Sequence, residues 1–232
     1  MIVDRRETPR GEIALRLRGG GFEIVYNGVF VMSHVNGDSE TRLAAETLSR
    51  VMGAGASRPD GLRVLVGGLG MGYTLRAALD YPGVSAVTVA EIEPAVIEWN
   101  RLHFGDMNGF ALDDARCAVI CGDVLEVVEA RPAPFDAILL DTDNGPASLV
   151  RDDNQAIYSS AGLRAFRDSL RRGGCLGVWS ANANAGFERL MRRVLGGVEA
   201  VEVPCPYAPD PDYIYVSRRQ SVRPRRGNRV RA

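Results

Sequence analysis

The pattern of apolar and polar positions changes at about residue 60. Before it, apolar positions alternate with polar ones: Glu12–Arg18, Phe22–Asn27 and Val29–His34 each read as a half-buried strand. Gly19-Gly20-Gly21 and Asn27-Gly28 separate them, the second a strong hairpin signal, so three short antiparallel strands are predicted. Residues 1–10 are polar and read as loose. After Asn36-Gly37-Asp38, Ser39 is placed to cap a helix running to about Val51, with Leu43, Thr47 and Leu48 on one face. Gly53–Gly61 reads as a linker.

Beyond residue 60 the apolar runs become nearly continuous, as in strands buried on both faces. They are Leu62–Val66, Val84–Ala90, Arg116–Cys121, Phe135–Leu140 and Leu176–Ser180. Helical spacing fills the intervals at Tyr73–Asp80, Pro94–His103, Val124–Ala130, Ala161–Arg171 and Phe187–Leu195, with Gly173-Gly174 as a stop after the fourth. Strand–helix alternation predicts a mainly parallel sheet with helices on both faces. The last two strands, Val198–Val203 and Tyr213–Val216, have no helix between them, which predicts a final antiparallel strand. The division expected is a small β element with its linking helix at 1–52, a nucleoside-binding α/β domain at 53–217, and a disordered arginine-rich tail at 218–232.

The most informative stretch is the first strand–turn–helix–strand of the second region. Gly67, Gly68, Gly70 and Gly72 fill the turn before Tyr73, and Glu91 ends the next strand, nineteen residues after Gly72. Glycines there let backbone approach a ligand, and an acid at that strand end accepts hydrogen bonds from ribose hydroxyls. Asp123, Asp141 and Asp143 follow later strands, and in an open α/β sheet ligands bind outside those carboxyl ends. Each acid singly is as well explained as a turn former or helix cap, Asp123 above all as the cap of the helix at Val124. Together, beside a glycine loop, they point to a site. Tyr158 and Trp179 are placed to stack on a ligand or to pack under the sheet. Tyr207 reads as part of a surface loop and His34 as structural.

Composition narrows the chemistry. No lysine is present, so all 28 basic residues are arginine and any lysine base or Schiff base is excluded. Seven arginines fall between Arg218 and Ala232, leaving 21 against 29 acids in the rest of the chain. An acidic body disfavours nucleic acid and favours a small or cationic substrate. Cys117, Cys121, Cys175 and Cys205 have no metal spacing, and Cys117 and Cys121 are read as small buried hydrophobes. With two histidines no transition-metal set is expected. No apolar run has membrane-spanning length, so a soluble cytoplasmic protein without membrane contact is expected.

Residues 12 to 217 resemble the spermidine synthase group of the class I S-adenosylmethionine-dependent methyltransferase fold. VGGLGMG resembles its GGGDGG loop, AEIEP its ribose-binding motif and CGDVLEVV its Gly-Asp adenine motif. ILLDTDNGP is similar to its catalytic Asp-Ser-Ser-Asp-Pro-x-Gly-Pro loop, and YNGVFVMSHVNGDSE to its N-terminal hairpin. The resemblance implies a Rossmann-like seven-stranded sheet and a co-substrate that is S-adenosylmethionine or its decarboxylated form. It implies that Gly67, Gly68, Gly70 and Gly72 line the donor's aliphatic arm, Glu91 the ribose and Asp123 the adenine. Asp141 and Asp143 would hold and orient an attacking amine, with Asn144 an alternative for the second. The reaction implied is transfer of an aminopropyl-type group to a small amine, with a homodimer left open. The alternatives are a small-molecule methyltransferase and a catalytically silent nucleoside-binding module.

Overall fold

The computed structural model describes residues 1–35, 37–52, 59–130, 133–146, 149, 152–206 and 208–220. Most of the linker read at Gly53–Gly61, Tyr207 and the tail beyond Gln220 lie outside these residues. Four N-terminal strands, β1 (Ile2–Thr8), β2 (Gly11–Arg18), β3 (Gly21–Tyr26) and β4 (Val29–Ser33), form an antiparallel meander. Asn27 and Gly28 both have positive φ, 48° and 78°, as a tight hairpin turn of that sequence requires.

The first strand corrects the reading of residues 1–10 as loose. Its polarity hid it, because its polar groups find partners rather than water. Asp4 accepts a hydrogen bond from the buried Trp99 indole at 2.8 Å, and Arg6 joins Asp4 to Glu98.

After α1 (Asp38–Met52), strands β5 (Leu62–Gly67), β6 (Val84–Glu91), β7 (Cys117–Cys121), β8 (Phe135–Leu140), β9 (Leu170–Ser180), β10 (Val198–Val203) and β11 (Asp212–Arg218) make one seven-stranded sheet. Its order is β10-β11-β9-β8-β5-β6-β7. The pairs from β7 to β9 are parallel, and β11 runs antiparallel to both β9 and β10. This is the Rossmann-like order of the class I methyltransferase fold.

Alternation along each central strand divides the core. Val64, Val66, Ala137 and Leu139 pack with Leu43 and Leu48 of α1, with Leu75 and Leu79 of α2 (Tyr73–Asp80), and with Trp99 of α3 (Pro94–Leu102). Ile13, Leu15 and Ile24 of the small sheet belong to the same cluster. A short α4 (Gly105–Asn108) follows α3. Leu65, Ile138 and Leu140 face the other way, toward Val127 of α5 (Val124–Glu129), Phe166 of α6 (Ser160–Ser169) and Met191 of α7 (Ala185–Leu195).

Two local readings change. β9 begins at Leu170, so the Gly173-Gly174 pair lies inside a strand instead of stopping a helix. There a Cβ on Gly174 would fall 2.8 Å from the Asp136 carbonyl, so the glycine permits close passage beside β8. β7 is an edge strand, which leaves Cys121 exposed and Cys117 half-buried rather than buried.

Candidate active site

The chain reverses its progress across the sheet between β5 and β8, and the crevice outside their carboxyl ends is where such a sheet takes ligands. The turn after β5 is drawn tightly against β8. A Cβ on Gly68, at φ 86°, would lie 2.0 Å from the Asp141 carbonyl oxygen, so only glycine fits. One on Gly70, at φ 51°, would meet the Met32 sulfur at 2.6 Å, because the small sheet closes over the loop from above. A cavity of about 140 Å³ remains, bounded below by the strand ends and above by Ile13, Ile24, Tyr26, Val31 and Met32.

Of the eight residues expected at the site, Gly68, Gly70, Glu91, Asp123, Asp141 and Asp143 line this cavity. Gly67 and Gly72 do not. Gly67 ends β5 beneath Val124 and Leu140, and Gly72 turns the chain into α2 against Asn100 and Asn108. Trp179 is in the lining, with its Nε1 buried and unpartnered among the described residues. Tyr158 packs edge-on to Phe187, 5.6 Å between ring centres, and lines a separate shallow groove. Asn144 lines the cavity next to Asp143.

The acids are held differently. Glu91 is buried, with one oxygen accepting from the Leu69 amide and the other from the Glu93 amide, both at 2.8 Å. Burial pushes its carboxyl above the ordinary range, and those amides oppose the rise. Asp123 caps α5 through the Leu125 amide at 2.7 Å while facing the cavity, so its two readings are compatible. Asp141 accepts from the Thr74 hydroxyl at 2.7 Å, and burial pushes it up to about 6 against that bond. Asp143 is fixed by the Asn144 amide and the Asn154 side-chain amide, each at 2.8 Å.

Sequence reasoning missed Glu40, Glu93 and the whole roof. Glu93 lines the cavity and is paired from behind by Arg10, whose guanidinium also reaches the Ile92 carbonyl. That ion pair pins the β1–β2 turn to the turn after Glu91. Glu40 sits one position after the expected cap of α1 yet is buried and in the lining. The one available signal was α1's spacing: Glu40, Leu43 and Thr47 share a face, and the other two were read as core.

Residues 45–193 match the model of the spermine/spermidine synthase domain. The chain belongs to this family. Among curated relatives, a polyamine aminopropyltransferase of Clostridium tetani is 33% identical over 86 residues, covering 37% of this chain and 31% of that protein. Polyamine aminopropyltransferase 1 of Hyperthermus butylicus is 28% identical over 192 residues, 81% of this chain and 62% of that one. The chain thus spans about a third to three fifths of the length of these two relatives. A crystal structure of a spermidine synthase in complex with the transition-state analogue AdoDATO has the same fold, with a TM-score of 0.77 at 17% identity. It covers 94% of this chain and 73% of the other. Among the described residues no helix is long and apolar enough to cross a membrane, and no three His, Cys, Asp or Glu side chains could together hold a metal ion.

Proposed function

We propose that this cleft binds decarboxylated S-adenosylmethionine and transfers its aminopropyl group to a small amine. One observation carries the reading. In a chain with 28 arginines, the lining holds six acids (Glu40, Glu91, Glu93, Asp123, Asp141 and Asp143) and, among the described residues, no arginine or histidine. A wall of carboxyl groups, which an incoming cation draws into the charged form, suits a donor that is a sulfonium and an ammonium at once, and an acceptor that arrives as a cation. S-adenosylmethionine itself would bring a carboxylate against the same wall, so the decarboxylated donor is favoured.

In this reading Glu91 accepts hydrogen bonds from the ribose hydroxyls, Asp123 meets the adenine, and Gly68 and Gly70 let the aliphatic arm lie close to backbone. Asp141 holds the attacking amine, and Asp143, fixed from two sides, orients it. The attacking nitrogen, which arrives as an ammonium, first gives a proton to a carboxylate, and the lone pair so freed attacks the carbon bonded to sulfur. The C–S bond breaks, its electron pair stays on sulfur as a neutral thioether, and the new secondary nitrogen leaves as an ammonium. Positioning two reactants in line supplies most of the acceleration in such a displacement.

The test is competitive. The protein is incubated with both donors and a panel of amines, and the products are identified by mass. Products heavier by an aminopropyl group support the reading. Methylated products alone, or no turnover together with no binding of 5′-methylthioadenosine, overturn it.

A further inference from the structure

Two acids near the cleft lie outside the segment matched to the family: Glu40, on α1, and Asp212, the first residue of β11. Glu40 is 5% exposed and lines the cavity beside Asp141. Its Oε2 accepts from the Ser39 hydroxyl at 2.9 Å, a group that also bonds Asp212. Its own backbone amide also donates to the carboxylate. The charged and titratable groups that face Glu40 come from every neighbouring element: Asp141 from the end of β8, Asp212 from β11 and Tyr73 from α2. None is a cation, and the carboxylates do not converge as metal ligands.

A buried carboxylate is normally retained only with a counter-charge or a proton. Among the described residues no cationic side chain faces Glu40, whereas a ligand's ammonium would supply a counter-charge with three N–H donors. We propose that Glu40 is a specificity-determining residue, which with Asp141 clamps a primary ammonium of the substrate. The inference rests on the functional reading above and assigns the group that reads the ligand's charge.

A consequence separates this role from packing. Burial, reinforced by Asp141 and Asp212, pushes Glu40 up to about 8, so the carboxyl carries a proton at neutral pH until a cation meets it. An entering ammonium replaces that proton, and binding releases it to solvent. A ligand without an ammonium releases none.

The experiment is calorimetry at pH 7 in buffers of different ionisation heat, on the wild-type chain and Glu40→Gln. The probes are 5′-methylthioadenosine, decarboxylated S-adenosylmethionine, and 1,4-diaminobutane added to the methylthioadenosine complex. Expected are proton release with one or both ammonium-bearing probes, its loss in E40Q, and a fall of about tenfold or more in E40Q's affinity for that probe. Methylthioadenosine affinity stays unchanged. The probe affected tells whether the donor's or the acceptor's ammonium is held. If E40Q binds both ammonium probes as the wild type does, or the wild type binds them without releasing protons, the clamp is wrong while the nucleoside site stands. Should E40Q not fold, the wild-type proton count decides by itself. If the wild type does not bind even methylthioadenosine, the functional reading falls, and the clamp with it.

Discussion

At the scale of single residues, the site is a set of carboxylates whose environments differ. Glu91 is held by two backbone amides before any ligand arrives, so the carboxylate is preorganised and its remaining lone pairs are free to accept from hydroxyls. Replacing it with Gln removes the charge and offers donors to amides that need acceptors. Binding of 5′-methylthioadenosine should weaken by roughly 1–3 kcal/mol, the usual loss for a hydrogen bond to a charged group. Affinity unchanged by calorimetry would take Glu91 out of the site.

Glu40 gives a second prediction, in stability rather than binding. Its folded carboxyl titrates above its unfolded one, so between about pH 5 and 8 the native state holds a proton that the unfolded state has lost. Its contribution is therefore most favourable below that window and declines as pH rises through it. Melting temperature should fall from pH 5 to pH 8 more steeply in the wild type than in Glu40→Gln, and parallel curves would contradict this. Glu91, Asp123, Asp141 and Asp143 were legible in the sequence because topology puts strand ends together whatever the side chains do. Glu40 and Asp212 were not, because their burial depends on α1 lying across β9 and β11, a contact that no local pattern encodes.

At the scale of elements, Asp123 has two jobs that substitution can separate. As the cap of α5 it should contribute about 0.5–2 kcal/mol to stability, which Asn would largely retain and Ala would lose. As a cleft residue it should favour a ligand that donates to a carboxylate, which Asn does not replace. Asp123→Asn should therefore keep the melting temperature near that of the wild type and lower nucleoside affinity. If Asn and Ala bind the nucleoside as the wild type does, Asp123 is a cap and nothing more.

The strands that sequence reading placed best are those carrying a plain signal. β5, β6 and β8 are mostly apolar, and Asn27-Gly28 allows few other turns. β1 escaped because its polar side chains pair with α3 and Trp99, and β9 was shortened because glycines that usually end helices here let two strands pass closely.

For the whole molecule, the small sheet is as much a part of the site as the large one. Ile13 and Ile24 roof the cavity and also belong to the core cluster that contains Val64 and Leu139. Shared burial of this kind predicts one cooperative unfolding transition, not separate melting of the two sheets. Saturation with 5′-methylthioadenosine at a hundred times its dissociation constant should raise stability by about 2.7 kcal/mol, moving the whole transition upward by roughly 5–11 °C. Two resolved calorimetric peaks, with only one moved by ligand, would show that the sheets fold independently.

The composition of the cleft wall has one more consequence. A sulfonium donor is an alkylating agent, and the protein that holds it is exposed to it for as long as it stays bound. The side chain that most resembles the intended acceptor is a neutral lysine amine. This chain has no lysine, and the groups around the cavity are carboxyls, backbone, apolar and aromatic side chains, the Thr142 hydroxyl, the amides of Asn144 and Asn154 and the thioether of Met32. On the proposed reading, an electrophile lodged there meets no side-chain amine of the protein's own, and the amine left for it is one that comes in from solution.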